Sequence, residues 1–162
     1  MKIAVLSDSH DHIWNMQRMI AQARKQGVGL MIHCGDLISP FMLEEMDSFT
    51  GNIHLVAGNN TGDQILLMKR LKTRPNITFH GLLGQISAGS MRIAFVHAPD
   101  IAASIAKSGD FHLVCYGHTH LWHKEEVGKT ILLNPGEIMG KKEPAGWALV
   151  DTETGEITQI LT

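Results

Sequence analysis

Residues 2–10 read KIAVLSDSH, an apolar run that ends abruptly in serine, aspartate, serine and histidine. An uninterrupted apolar run of this length is typical of a β-strand that is covered on both faces. The aspartate and the histidine follow directly where that strand must end. In open α/β sheets, ligands bind in the crevice beyond the carboxyl ends of the strands. This stretch therefore predicts both a parallel α/β sheet and the edge of that sheet at which a functional site lies.

The same arrangement recurs four more times along the chain. The further apolar runs and the polar residues that follow them are LMIHC with Asp36, HLVA with Asn59 and Asn60, IAFV with His97, and LVCY with His118 and His120. Each occurrence alone is weak evidence, because turns favour Gly, Asn and Asp in any protein. The GHTH segment at 117–120 is more specific, because both imidazoles of an extended segment project from the same side. Five strand ends in order predict that these side chains converge on one place.

Helix signals alternate with strands in the first half of the chain. The predicted helices run over 12–26 with Asp11 as N-cap and Gly27 as stop, from Ser39-Pro40 onward, and from a Thr61–Gln64 capping box to Leu71. The strands between them are predicted at 2–7, 29–34 and 53–57. This β-α-β-α-β-α order predicts a mostly parallel sheet with right-handed crossovers.

The second half of the chain favours hairpins. Paired strands are predicted at 85–96 around a Gly89-Ser90 type II′ turn, at 122–127 with 130–133, and at 146–151 with 156–161. A helix from Pro99 to Ser108 and a strand at 112–116 lie between them. With no repeat and no linker, we interpret residues 1–162 as a single domain of two sheets with helices outside, in which the hairpins build the second sheet.

Composition excludes some classes of function. The formal net charge is −2, and charged residues make up 19% of the chain, so binding of nucleic acid through bulk positive charge is not expected. The apolar run at the N-terminus is too short for a secretory signal or a membrane span. We therefore expect a cytoplasmic protein. Cys34 and Cys115 lie inside apolar stretches, which favours reduced, buried thiols.

Ten histidines are many for a chain of 162 residues, and they point to metal binding. The candidate ligands at the five strand ends are Asp8, His10, Asp36, Asn59, His97, His118 and His120. Seven donors exceed the need of one tetrahedral ion and suit two divalent ions that share a carboxylate. Oxygen and imidazole donors without a thiolate suit Mn²⁺, Fe, Co²⁺, Ni²⁺ or Zn²⁺. Such a charged site would attract phosphate oxygens.

The ordered motifs D-x-H (8–10), G-D (35–36), G-N (58–59), H (97) and G-H-x-H (117–120) resemble the calcineurin-like metallophosphoesterase superfamily. The stretches MKIAVLSDSHDH, IHCGD, YGHTH and NPGE (134–137) extend the similarity to its small single-domain bacterial and archaeal phosphodiesterase branch. The resemblance implies a four-layer α/β/β/α sandwich of two mixed sheets flanked by helices. It also implies hydrolysis of a small phosphodiester by in-line attack of a hydroxide that bridges two metal ions.

The resemblance also assigns roles to the candidate ligands. One ion would be bound by Asp8, His10, Asp36 and His120. The second would be bound by Asp36, Asn59, His97 and His118. Asp36 would then bridge the two ions. Among the metals that suit these donors we place Mn²⁺ first, with Ni²⁺, Fe, Co²⁺ and Zn²⁺ as alternatives.

Two departures from the superfamily pattern bear on the chemistry. The position after the G-N asparagine often carries a histidine that helps to bind phosphate and to protonate the leaving group, and here it is Asn60. An amide donates a hydrogen bond but no proton near neutral pH, so we expect Asn60 to orient a phosphate. His12 or a metal-bound water would supply the proton. His97 is followed by Ala98-Pro99 rather than glycine, which predicts an extended Ala98 and a differently shaped loop.

Two other functions compete with the phosphodiesterase. A phosphomonoesterase would use the same site. A scaffold subunit of the eukaryotic retromer coat has this fold but lacks part of the metal histidine set, whereas all seven ligand types are present here. A homodimer or a higher homo-oligomer is expected, the dimer by resemblance only. Structural or surface positions are expected for the remaining histidines without motif support, which are His33, His54, His80, His112 and His123.

Overall fold

The computed structural model describes all 162 residues, which form eleven strands and four helices. In chain order the elements are β1 (Lys2–Leu6), α1 (Ile13–Lys25), β2 (Leu30–His33), α2 (Met42–Met46), β3 (Asn52–Leu55), α3 (Gln64–Leu71), β4 (Ile77–Phe79), β5 (Leu83–Ala88), β6 (Met91–Val96), α4 (Pro99–Ser108), β7 (Leu113–Cys115), β8 (Trp122–Val127), β9 (Thr130–Pro135), β10 (Gly146–Asp151) and β11 (Ile157–Leu161). None of these helices combines the length and apolar character needed to cross a membrane.

The strands form two mixed sheets. The first has the order β11-β10-β1-β2-β3-β4, in which β1 to β4 are parallel and β10 and β11 are antiparallel to their neighbours. The second has the order β5-β6-β7-β9-β8, with a parallel centre of β6, β7 and β9 and an antiparallel strand at each edge. The predicted pair of mixed sheets is confirmed.

The assignment of every hairpin to the second sheet is wrong. The β10–β11 hairpin joins the first sheet, where Ala148 of β10 lies opposite Val5 of β1. The physical reason is that β10 is apolar on both of its faces. Trp147 packs in the core beneath α1 and α2, whereas Ala148 and Val150 pack in the core between the two sheets. A strand with two buried faces fits the interior of the first sheet better than the exposed edge of the second.

Three apolar clusters separate four layers of secondary structure. Ala4 and Leu6 of β1 face α1 and α2, whereas Ile3 and Val5 face the second sheet. On the far side of the second sheet, Ala102 and Ala106 of α4 cover its remaining face. The α/β/β/α arrangement explains why the first strand is apolar at every position. The free thiols of Cys34 and Cys115 lie buried between the sheets, which confirms their predicted state.

The predicted N-cap of α1 is wrong, and the correction concerns the site. His12 caps the helix, since its Nδ1 accepts a hydrogen bond from the backbone N–H of Asn15 at 3.3 Å. Asp11 instead accepts a hydrogen bond from the backbone N–H of Ser39 at 2.8 Å. That contact connects the loop after β1 to the loop after β2. The preference for Asp over His as N-cap is therefore overridden by a tertiary contact.

The starts of the next two helices also differ from prediction. The N-cap of α3 is Asp63, whose Oδ1 accepts from the N–H of Leu66 at 2.9 Å, rather than Thr61. Helix α2 spans only five residues and begins at Met42 rather than at Ser39-Pro40. The hydroxyl of Ser39 accepts from the N–H of Phe41 at 3.2 Å, so it stabilises a turn ahead of the helix. Helix α4, which begins at Pro99 and ends before Gly109, is as predicted.

Candidate metal centre

The carboxyl ends of β1, β2, β3, β6 and β7 meet at one edge of the sandwich, and the loops that follow them bring the predicted ligands together. His120 Nε2 lies 3.4 Å from an oxygen of Asp8, which joins the ends of β7 and β1. His10 Nε2 lies 3.3 Å from an oxygen of Asp36, which joins the ends of β1 and β2. His97 Nε2 lies 3.5 Å from the other oxygen of Asp36, which joins β6 to β2. The predicted convergence of separate strands is therefore present in the structure.

One group of donors consists of Asp8, His10 and His120, with ligand atoms within 4.8 Å of one another. Asp8 is fully buried. Burial raises the pKa of Asp8, but the neighbouring His10, Ser7 and two further histidines lower it below the usual value, so the carboxylate is ionised at neutral pH. This group has the donor types and the spacing of a transition-metal site.

The surroundings of His10 Nε2 show whether a metal ion fits this group of donors. Its Nε2 is buried and has no hydrogen-bond partner, although oxygens of Asp8 and Asp36 lie 3.8 and 3.3 Å away. A buried polar nitrogen without a partner costs free energy. A cation between that nitrogen and the two carboxylates would satisfy all three, so the residues fit the ion that the donor set predicts.

A second group of donors surrounds Asn59. The Asn59 Oδ1 lies 2.8 Å from His97 Nε2 and 2.8 Å from His118 Nδ1. His97 Nδ1 lies 2.8 Å from the carbonyl oxygen of Cys34 and donates to it. That hydrogen bond fixes the ring and, in the neutral imidazole, leaves the Nε2 lone pair for a metal.

Asp36 lies between the two groups. One of its oxygens faces His10 and the other faces His97, at the distances given above. The backbone N–H and the side-chain amide of Asn60 donate to these two oxygens at 2.8 and 2.7 Å. Asp36 thus occupies the place that a bridging carboxylate needs, and Asn60 holds it there.

Residues 1–155 match the family model described as the calcineurin-like phosphoesterase superfamily domain. The chain belongs to this superfamily. Members of the superfamily use a pair of divalent metal ions, and the site contains two overlapping sets of carboxylate and imidazole donors, Asp8 with His10 and His120, and Asp8 with Asp36 and His97. The predicted family and the predicted fold are confirmed.

The chain is similar to one curated protein and to two solved structures. A phosphodiesterase of Methanocaldococcus jannaschii is 34% identical over 99% of both chains. The solved structure of an archaeal phosphodiesterase superposes with a TM-score of 0.93 at 31% identity and covers 100% of each chain. Vps29 of Entamoeba histolytica superposes with a TM-score of 0.70 at 17% identity, over 100% of this chain and 99% of its own. The likeness to Vps29 shows the fold alone.

Strained backbone conformations are concentrated at the candidate metal centre. Five candidate ligands have left-handed backbone conformations, with φ values of 52° at Asp8, 42° at His10, 57° at Asp36, 69° at His118 and 65° at His120. Such conformations cost of the order of 1 kcal/mol or more per residue outside glycine. The expectation that the GHTH segment is extended is therefore wrong. His118 and His120 reach the site from a tight loop and face different donor groups.

The glycines that precede the ligands permit close approach of the strand ends. A Cβ atom at Gly117 would lie 2.0 Å from the hydroxyl of Ser7, and one at Gly58 would lie 2.0 Å from Asp36 Oδ1. Any side chain at these two positions would displace the loops that carry the ligands. The motifs therefore need glycine for space as well as for turns.

Glu137 supports the site and was missed as a functional residue. Its Oε2 accepts a hydrogen bond from His120 Nδ1 at 2.6 Å, and its Oε1 accepts from the backbone N–H groups of Lys142 and Glu143. Burial raises the pKa of Glu137, but the hydrogen bonds from His120 and the two N–H groups outweigh it and lower the pKa. An ionised carboxylate on Nδ1 leaves His120 Nε2 directed at the metal group. In the sequence, Glu137 is indicated only as the last residue of the NPGE motif.

His33 also supports the site, although only a structural position was expected for it. The ring is fully buried. Its Nδ1 accepts from the backbone N–H of Gly35 at 3.3 Å, so the proton is on Nε2, which donates to the hydroxyl of Ser9 at 3.1 Å. These bonds connect the loop of Asp8 to the loop of Asp36. Burial lowers the pKa of His33 to about 4, so the ring is neutral at physiological pH.

The stability of the metal-free protein should depend on pH through His33. Its pKa is about 4 when folded and about 6.5 when unfolded, so unfolding takes up a proton between these values. The stabilisation that neutral His33 gives to the folded state is complete above pH 6.5. It is lost as the pH falls towards 4, which lowers the free energy of unfolding by up to about 3 kcal/mol. Urea denaturation from pH 4 to 8 measures the free energy of unfolding. The difference between the wild type and His33→Gln should shrink as the pH falls.

The exposed His112 provides the control for this experiment. The His112→Gln variant measures how much the loss of one exposed histidine changes the profile, and the change for His33→Gln should exceed it. Parallel profiles for wild type and His33→Gln would show that His33 is not held neutral by burial.

His12, the suggested proton donor, lies outside the ligand network. Its Nδ1 is engaged as the cap of α1, and its ring stacks edge-on against Trp14 with centroids 5.9 Å apart. It makes no hydrogen bond to any of the seven candidate ligands. The structure therefore places Asn60, and not His12, beside the donors.

Proposed function

We propose that the protein is a phosphodiesterase that hydrolyses a small phosphodiester with two divalent ions bound at the candidate metal centre. The observation that carries this proposal is the position of Asp36, which joins two groups of imidazole and oxygen donors through its two oxygens. Support comes from the phosphodiesterase of Methanocaldococcus jannaschii, which is 34% identical along almost the whole chain. A functional enzyme is favoured over a scaffold because every donor is present.

The residues divide between the two ions as follows. Asp8, His10, Asp36 and His120 would hold the first. Asp36, Asn59, His97 and His118 would hold the second. When bound, the ions supply Lewis acidity for the phosphate oxygens and lower the pKa of water. We place Mn²⁺ first among the metals, with Ni²⁺, Fe, Co²⁺ and Zn²⁺ as alternatives, since all of these accept oxygen and imidazole donors.

Asn60 has two tasks in this proposal. One N–H of its side-chain amide is committed to Asp36 at 2.7 Å. The second N–H of the same amide is available to donate to a phosphate oxygen, which would orient the substrate. Asn60 gives no proton to the leaving group. We therefore expect the enzyme to favour diesters whose leaving group is stable as an anion.

The test uses metal-stripped protein to which single divalent ions are returned. We expect hydrolysis of bis(p-nitrophenyl) phosphate that depends on the added ion and exceeds the rate on p-nitrophenyl phosphate. The two substrates share a leaving group, but the monoester carries an additional negative charge. Faster cleavage of the monoester would replace the proposal with a phosphomonoesterase. Folded protein that binds ions and cleaves no ester, or binds no ion at all, would favour the scaffold.

Three further assignments remain predictions. We propose that the chain is a single domain, that it works in the cytoplasm on a small substrate rather than on nucleic acid, and that it forms a homodimer or a higher homo-oligomer. The low net charge of −2 supports the choice of a small substrate.

A further inference from the structure

A pocket of about 400 Å³ opens beside the second donor group. Its lining includes three candidate ligands, Asn59, His97 and His118. Leu82, Pro99 and Ile101 line it as well. We call this cavity the Leu82 pocket. Because three candidate ligands line the pocket, a group attached to a phosphate at the metal centre can enter it.

The walls of the Leu82 pocket are held by the backbone. The carbonyl oxygen of Gly81 accepts a hydrogen bond from the N–H of Ala57 at 2.7 Å, which fixes the loop of Leu82 to the end of β3. Pro99 is the first residue of α4, and Ala98 before it is extended, with φ −76° and ψ 127°. The Ala98-Pro99 departure from the superfamily pattern therefore forms part of the wall. A pocket between fixed segments needs little rearrangement to receive a ligand.

The chemistry of the lining selects the class of group that fits. No lysine or arginine lines the pocket, and its one charged side chain other than the histidines is Asp100. Apart from the metal centre and its two histidines, a second phosphate or a carboxylate would meet no cationic side chain there and would be repelled by Asp100. Leu82 and Ile101 are 77% and 51% exposed, so their apolar surface is left in water. Covering it with an apolar group would be favourable.

We propose that the Leu82 pocket binds an apolar ester group of the phosphodiester, aryl or alkyl and without negative charge, an inference that rests on the proposed function. The phosphate is held at the metal centre while its ester group covers Leu82 and Ile101. The pocket thus selects substrates that carry a bulky apolar group next to one phosphate, and it disfavours nucleoside diphosphates and other substrates with a second anionic group.

Binding of phosphonates tests the pocket without any turnover. Methylphosphonate, phenylphosphonate and 4-carboxyphenylphosphonate are titrated into Mn²⁺-loaded protein by calorimetry. We expect phenylphosphonate to bind about tenfold more tightly than methylphosphonate, because its ring covers apolar surface. The 4-carboxyphenyl compound should lose that advantage. Equal affinities for the methyl and phenyl compounds, stronger binding of the carboxyphenyl compound, or no binding of any phosphonate would overturn the proposal.

Substitutions show which side chains cause the preference for phenylphosphonate over methylphosphonate. Leu82→Ala and Ile101→Ala should each reduce the ratio of phenyl to methyl affinity, and the double variant should bring it close to one. Leu161→Ala and Ile65→Ala are matched controls, since these side chains are also exposed but lie outside the pocket. Both controls should keep the ratio. Asp100→Asn should reduce the ratio of phenylphosphonate affinity to 4-carboxyphenylphosphonate affinity by about threefold, as expected for loss of one exposed charge.

Rates of hydrolysis distinguish a failure of the pocket proposal from a failure of the proposed phosphodiesterase function. The rates are compared for p-nitrophenyl methyl phosphate and p-nitrophenyl phenyl phosphate, which share a leaving group. Preference for the phenyl diester that disappears in the double variant supports both proposals. Hydrolysis of both diesters without any preference in rate or phosphonate affinity overturns the pocket alone. Selective binding of phenylphosphonate by protein that cleaves neither diester supports the pocket and overturns the proposed function.

Discussion

Replacement of Asp36 by asparagine is expected to reduce diester hydrolysis about a thousandfold or more while the protein stays folded. The carboxylate is almost completely buried, and its two oxygens reach both donor groups, His10 at 3.3 Å and His97 at 3.5 Å. Asparagine has the same shape but lacks the negative charge and one acceptor. The N–H of Asn60 keeps a partner in the variant, whereas the side-chain amide of Asn60 loses its partner.

The measurement pairs kcat/KM on bis(p-nitrophenyl) phosphate with the number of ions bound per chain. We expect the Asp36→Asn variant to bind fewer than two ions at concentrations that saturate the wild type. Asp110→Asn is the matched control, because Asp110 is exposed and distant from the ligand network. A variant that binds two ions and retains a tenth of the activity would show that Asp36 is no bridge.

The layers of the fold follow from patterns that are local in sequence. The run at residues 3–6 is apolar at every position because alternate residues face α1 on one side and the second sheet on the other. That requirement exists only for a strand between two covered faces, so the pattern predicts its surroundings. Pro99 and Gly109 mark the ends of α4 for equally local reasons, a preset φ at the start and a φ of 70° at the end.

Prediction fails where a distant contact decides between local alternatives. Asp11 is a better N-cap than His12 by intrinsic preference, but its carboxylate is used by the N–H of Ser39 in another loop. The apolar run of β10 indicates a strand with two covered faces, but it does not identify the strand beside which β10 pairs. That choice depends on the two-sided burial of Trp147 and Ala148. In each case the deciding partner lies far away in the sequence.

The positions of the candidate ligands follow from the sequence, whereas those of their supports do not, for a related reason. Candidate ligands such as Asp8 and His97 stand where apolar strands end, which the sequence displays. Supports such as His33 and Glu137 act through hydrogen bonds to residues 24 and 17 positions away. The Leu82 pocket likewise joins the loop after β4 to the start of α4, which only the fold brings together.

Replacement of Glu137 by alanine is expected to weaken binding of the first ion about 10- to 100-fold. Glu137 holds the Nδ1 of His120 at 2.6 Å, and His120 in turn directs Nε2 towards Asp8. The loss of the buried carboxylate also leaves two partly buried backbone N–H groups without this acceptor, those of Lys142 and Glu143. We therefore expect the free energy of unfolding to fall by about 2 to 4 kcal/mol.

The Glu137→Gln variant separates these two effects. Glutamine keeps one carbonyl oxygen as an acceptor for the backbone N–H groups, so most of the stability should return. It presents a neutral amide to His120, so the metal affinity should recover only in part. Calorimetric titration with Mn²⁺ and urea denaturation measure the two quantities, with the exposed Glu125→Gln as control. A Glu137→Ala protein that is destabilised but binds both ions with wild-type affinity would show that Glu137 supports only the loop and not the orientation of His120.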